Sequence, residues 1–219
     1  LGDVYKRQAP SHSIHLKPLV EDALSLPVRT GKARVIGIEP ASLVTKSLVR
    51  EVKTDDAGCF QSALNPGLTK IAVIERHKRT GKLGIGILEG YGLTGGAIAT
   101  TISHDSHNIV VAGDNDPDML LAVRELADMG GGIVSVHGGA IRRLPLPIAG
   151  LMTSADPQEV NAVLHDMLVA ARAELGIPED VEPFMTLSFM ALPVIPELKL
   201  TARGLFNVNT FSFVGVEAD

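Results

Sequence analysis

Polar side chains able to do chemistry concentrate at one point of this sequence. Ser103-His104-Asp105-Ser106-His107-Asn108 lies between two apolar runs, Ala97–Ser103 and Asn108–Ala112. A turn needs one Asp or Asn, so this density exceeds what turn chemistry requires. Imidazoles titrate near neutrality and can carry protons or bind metal. If the segment stays extended, His104 and Ser106 face one side while Asp105 and His107 face the other. The adjacent Asp105, Ser106 and His107 therefore do not assemble a Ser-His-Asp triad, which draws its members from distant segments. A bent loop, in contrast, could bring His104 and His107 together as a metal or hydrogen-bonding site. The competing expectation is a self-satisfied polar network at a strand crossing.

Two further groups stand at strand ends. Gly113-Asp114-Asn115-Asp116 precedes a helical pattern that Asp116 can cap, which leaves Asp114 free to order a histidine, accept from an amine or make an Asx-turn, with Asn115 beside it. Glu75-Arg76-His77 ends another apolar run, and strand alternation puts Glu75 and His77 on one face with Arg76 opposite. That pair could serve proton transfer, or could be an ordinary strand end entering the polar stretch His77–Lys82. His137-Gly138-Gly139 reads as a turn or a close backbone approach to a ligand, and His165 as surface. Gly90–Gly96 (GYGLTGG) lacks the Lys-Ser/Thr of a phosphate loop.

The elements that must position these groups are short. Arg34–Ile38, Leu43–Val52, Ile71–Arg76, Leu83–Leu88, Ala97–Ser103, Asn108–Ala112, Ile133–Val136, Phe184–Leu192 and Phe206–Val216 read as strands, with Thr80-Gly81-Lys82 closing a hairpin. Helices are expected over about 116–129 and 157–175. The first has Pro117 at its first position and an apolar stripe of Met119, Val123 and Leu126; the second opens on Asp156-Pro157 and ends at Gly176. Strands around two helices, without a βαβ repeat, give an α+β domain with mixed, largely antiparallel sheets.

Composition narrows the class. Net charge is −5 and no basic stripe interleaves with aromatics, which argues against nucleic acid. No apolar run is long enough for a membrane helix, and Cys59 is the single cysteine, so a disulfide framework and a cysteine-based zinc site are excluded. The cytoplasm is the expected compartment. Leu1–Gln8 joins poorly to the residues after it and reads as an adapter-derived, non-native tail, with 9–33, including His12 and His15, as a linker and 34–219 as the domain.

Several segments together resemble the C-terminal domain of bacterial adenine deaminases, of the amidohydrolase superfamily. They are RVIGI at 34–38, KIAVIERH at 70–77, GYGL and GGAIA within 90–99, TISHDSHN at 101–108, GDND at 113–116, LPIAGL at 146–151, PFMTLSF at 183–189, ALPVIPELKL at 191–200 and RGL at 203–205. Departures are few: Pro40-Ala41 stands where the family has a proline-glycine turn, and Ala202 and Asn207 where acidic residues are common. The resemblance implies hydrolysis of adenine to hypoxanthine and ammonia with a divalent metal, Mn2+ or Fe2+. That metal would be held by an N-terminal barrel missing from this chain, in which no His-x-His pair occurs. It also implies a homo-oligomer, with the barrel as partner and adenine as substrate. On this reading His104, Asp105, His107 and Asn108 face the active-site cavity as catalytic residues. Asp114, Asn115, Glu75 and His77 bind substrate or support them, and no metal ligand lies in the chain. Two rival expectations remain: a purely structural or dimerisation domain, and a self-contained metal site of His104, His107 and Asp114.

Overall fold

In the computed structural model, which describes residues 13–218, alternate residues of the central strands feed two cores. The strands are β1 (Lys32–Ile38), β2 (Thr45–Glu51), β3 (Leu68–Ile74), β4 (Leu83–Glu89), β5 (Gly96–Thr100), β6 (Ile109–Gly113), β7 (Gly132–His137) and β8 (Ala140–Pro145). They form one sheet in the order β2-β1-β4-β3-β6-β5-β7-β8, every pair antiparallel except β1 with β4. Ala72, Ala97, Val111 and Val134 point to one face and pack under α1 (Asp116–Asp128). Ile71, Val73, Ile98 and Val110 point to the other, against α2 (Pro157–Ala173), α3 (Pro183–Met190) and a second sheet of β9 (Leu198–Thr201), β10 (Gly204–Asn207) and β11 (Ser212–Val214). A pleated strand buried on both faces calls for a nearly continuous apolar run, as Ile71–Ile74 of β3, Ala97–Ala99 of β5 and Ile109–Ala112 of β6 have; the buried Lys70 of β3 is paired with Asp116.

The α+β class and both expected helices are present. Phe184–Leu192, expected as a strand, is instead the helix α3. Glu182 caps it by accepting from the Met185 N–H, and Pro183 occupies its first turn. PFMTLSFM is apolar on nearly every side, so neither a two-residue nor a 3.6-residue period shows in it. The cap of α1 also differs from expectation: Asn115, not Asp116, accepts from the Asp118 N–H at 2.8 Å. Phe206–Val216 is not one strand but the β10–β11 hairpin, and β8 and β9 are further strands beyond those expected. Ahead of β1, Leu24 is buried in the core under α1, and Leu26 and Val28 in a third, smaller cluster with Val35, Phe60 and Ile87. Leu1–Gln8 and His12 lie outside the described residues. No helix among the described residues is long and apolar enough to cross a membrane.

Candidate functional site

The sheet register sorts the polar groups into two places. β5 and β6 pair Thr100 with Val110, so the segment between them is a hairpin loop, and β3 pairs Ile74 with Ile109 at the same end. Glu75, Arg76 and His77 therefore emerge beside His104, Asp105, His107 and Asn108. Asp114 and Asn115 lie beyond the far end of β6, roughly 20 Å from Asn108 at the usual rise per residue. Chain neighbours of similar chemistry are thus split.

At the far end the groups hold structure together. Asp114 accepts from the backbone N–H of Gly95 at 2.5 Å and Gly96 at 3.0 Å, and from Asn115 Nδ2 at 2.8 Å. Gly96 has no alternative, since a Cβ there would stand 1.9 Å from the Val136 carbonyl oxygen. His137 Nδ1 donates to the Gly95 carbonyl at 2.8 Å, and Asp116 pairs with the buried Lys70 ammonium at 2.5 Å. Asp114 and Asn115 consequently clip a glycine turn and start a helix; they do not touch the His104–Asn108 loop.

The loop end is different. The segment bends so that His107 adopts a left-handed backbone, φ 47°, and its N–H donates to the Ser103 carbonyl at 2.6 Å. The His104 and His107 rings stand 5.8 Å apart. His104 stacks on Phe189 with centroids 4.8 Å apart, while its N–H donates to the Ser188 carbonyl at 2.9 Å. Asp105 and Ser106 form the exposed tip. The Ser103 N–H donates to His107 Nδ1 at 3.3 Å, so a neutral His107 carries its proton on Nε2. Burial, then the nearby His104 and Arg76, lower the His107 pKa; Asp105 opposes them and His77 adds to the lowering. A ring of that kind is neutral at neutral pH and offers an Nε2–H donor. Two polar atoms at the neck of the loop, Ser103 Oγ and Asn108 Oδ1, are buried without a hydrogen-bond partner among the described residues.

Glu75 reaches the loop only through His77, and His77 touches it at a backbone carbonyl. Burial raises the Glu75 pKa, but hydrogen bonds from the Thr80 N–H and hydroxyl and from the His77 and Lys78 N–H groups outweigh it and hold the carboxyl at about 2. A carboxylate so acidic and so fully engaged is a poor base at neutral pH. His77 Nε2 donates to the Ser106 carbonyl at 2.8 Å and steadies the tip. Two participants are missed by sequence reasoning. Phe189 falls in a segment that reads as a strand, and Arg76, which strand alternation points away from the candidate pair, is buried beneath the loop.

Beside His104 opens an apolar groove of about 430 Å³, lined by Ile102, Leu164, Phe184, Met185 and Phe189. Among the described residues no group of three or more His, Cys, Asp or Glu is placed to hold a metal ion. His104 and His107 come together, but Asp114 lies at the other end of the sheet, which removes the self-contained metal site. The two imidazoles alone do not fit a metal centre of the usual three or four ligands.

Residues 42–212 match the family described as the adenine deaminase C-terminal domain. The chain is 58% identical over 205 residues to an adenine deaminase of Nitratidesulfovibrio vulgaris (strain Hildenborough), covering 93% of this chain and 35% of that protein. It is 46% identical to adenine deaminase 2 of Carboxydothermus hydrogenoformans (95% and 36%) and 44% identical to an adenine deaminase of Clostridium acetobutylicum (93% and 36%). The chain thus spans about a third of the length of these relatives.

Proposed function

Because this chain belongs to the adenine deaminase C-terminal domain family, we propose that it completes the active site of a longer hydrolase that converts adenine and water to hypoxanthine and ammonia. The observation that carries the reading is the bent loop, which brings His104 and His107 together at one end of the sheet beside an open apolar groove. Met185, 57% exposed on α3, extends that apolar surface, and exposed apolar patches of this kind are docking faces. The occupant is the remainder of the polypeptide, a barrel that also holds the divalent metal, manganese or iron.

Within that arrangement the residues of this chain bind and orient. As water oxygen bonds to C6 of the purine, electron density moves onto a ring nitrogen, and a neutral His107 Nε2–H is suited to donate to it. His104, held against Phe189, borders the groove, with Asn108 buried at the neck of the loop, and Asp105 at the exposed tip is free to take a proton from the attacking water and pass it to the amino group, which then leaves as ammonia. A structural role is favoured for Asp114, Asn115 and Glu75, whose hydrogen-bonding capacity is taken up inside the domain. Replacing His107 with Ala in the intact enzyme is expected to lower kcat/KM by about 10²-fold, the size of loss found when one transition-state donor is removed. Unchanged kcat/KM would remove His107 from the reaction.

A further inference from the structure

We infer that Arg76 is the positioning residue of this site: its guanidinium sets the posture of the Ser103–Asn108 loop and thereby places the His107 ring. The inference rests on the function proposed above. Arg76 follows β3 and is 1% exposed, the largest of the fully buried side chains. No carboxylate lies within ion-pair distance of it among the described residues. Its donors go to backbone and hydroxyl oxygens of three separate segments. Nε donates to the His107 carbonyl, Nη2 to the Ala149 carbonyl at 3.0 Å, and Nη1 to Ser13 Oγ at 3.1 Å and the Ser13 carbonyl at 3.3 Å.

A buried cation without a counter-ion is an unfavourable way to stabilise a fold, because an apolar side chain of similar volume does so without desolvating a charge. Burial lowers the Arg76 pKa accordingly. What the guanidinium supplies instead is geometry: a planar fork of five donors in fixed directions. Two of its acceptors belong to residues in the left-handed region, His107 at φ 47° and Ala149 at φ 60°, where non-glycine residues need outside support. Gly150 lets the segment close on the fork, since a Cβ there would come within 2.9 Å of Arg76 Nη1. The Arg76 charge also acts on the His107 ring directly. With His104 and His77 it disfavours the imidazolium, against the pull of Asp105. One side chain therefore fixes where the ring sits and helps keep it a neutral donor.

Lysine keeps the charge but not the fork. In the intact enzyme Arg76→Lys should lower kcat at least about tenfold with KM little changed, within the roughly 10²-fold that a 1 Å misplacement costs. Gly150→Ala, which pushes the guanidinium aside and also strains a backbone at φ 72°, should do the same to a smaller degree, and, with its folding checked by circular dichroism, it reports on the inference if Arg76→Lys does not fold. The decisive readout is a double-mutant cycle. In the His107→Ala background, Arg76→Lys should cost less than about twofold further, because the ring it positions is gone. If the two losses multiply, or if both Arg76→Lys and Gly150→Ala leave kcat intact while His107→Ala is crippled, the inference is overturned. If His107→Ala itself is fully active, the proposed function of the loop fails first and the inference falls with it.

Discussion

Glu75→Gln tests how the strand end beneath the loop is held. In the folded chain the carboxylate accepts four hydrogen bonds that close the turn from His77 to Thr80, and its pKa stands at about 2 against an ordinary 4.5. Each unit of that difference corresponds to about 1.4 kcal/mol, which sets an upper limit of about 3.5 kcal/mol. The side chain is partly exposed, and solvent screening brings the expected contribution to about 1–2 kcal/mol. The sign follows from the depressed value: the stabilisation is fully present above about pH 4.5 and is lost as pH falls towards 2. A glutamine retains one acceptor oxygen but no charge. Urea unfolding of wild type and Glu75→Gln should differ by about 1–2 kcal/mol at pH 7, with the gap closing between pH 4.5 and 2. Equal stabilities at pH 7, or a gap that persists unchanged at pH 2, would refute the reasoning.

Lys199 is buried with one acceptor, the Leu43 carbonyl at 2.9 Å, and burial lowers its pKa to about 8. The unfolded chain then binds more protons than the folded one between pH 8 and 10.5, so stability should rise across that window; Lys199→Met should abolish the rise and stabilise the chain at pH 7 by about 1–3 kcal/mol in thermal unfolding. Asp114→Ala leaves the Gly95 and Gly96 N–H groups without their acceptor and should cost about 2 kcal/mol of stability, while kcat and KM of the intact enzyme stay within about twofold of wild type. A large kinetic defect with unchanged stability would put Asp114 in the reaction after all.

Much of the frame is legible in the sequence because apolar residues run through Ile71–Ile74 of β3, Ala97–Ala99 of β5 and Ile109–Ala112 of β6, and because Pro117, Asp156 and Pro157 mark helix starts. The elements that escape do so for physical reasons. α3 is apolar on almost every side, so its period is hidden. β8 is an edge strand in which Arg142 pairs with Glu174 and Arg143 with Glu125, leaving no apolar run to see. Asn115 and Asp116 are adjacent and equally able to cap. The chemistry of the loop is visible from residue types, but the company it keeps is not. Only the strand register shows that Asp114, six residues after Asn108, stands at the opposite end of the sheet, and a buried arginine bonded to carbonyls leaves no mark in a linear pattern.

Ser106, exposed at the tip of the loop with its carbonyl tied to His77, offers the most direct probe of where the loop points. A cysteine at this position in the intact, Cys59→Ser enzyme should react readily with a small thiol reagent when free, and at least about tenfold more slowly when hypoxanthine occupies the active site, read by mass spectrometry of the loop peptide. Labelling at the same rate with and without hypoxanthine would mean that the loop faces away from the catalytic cleft.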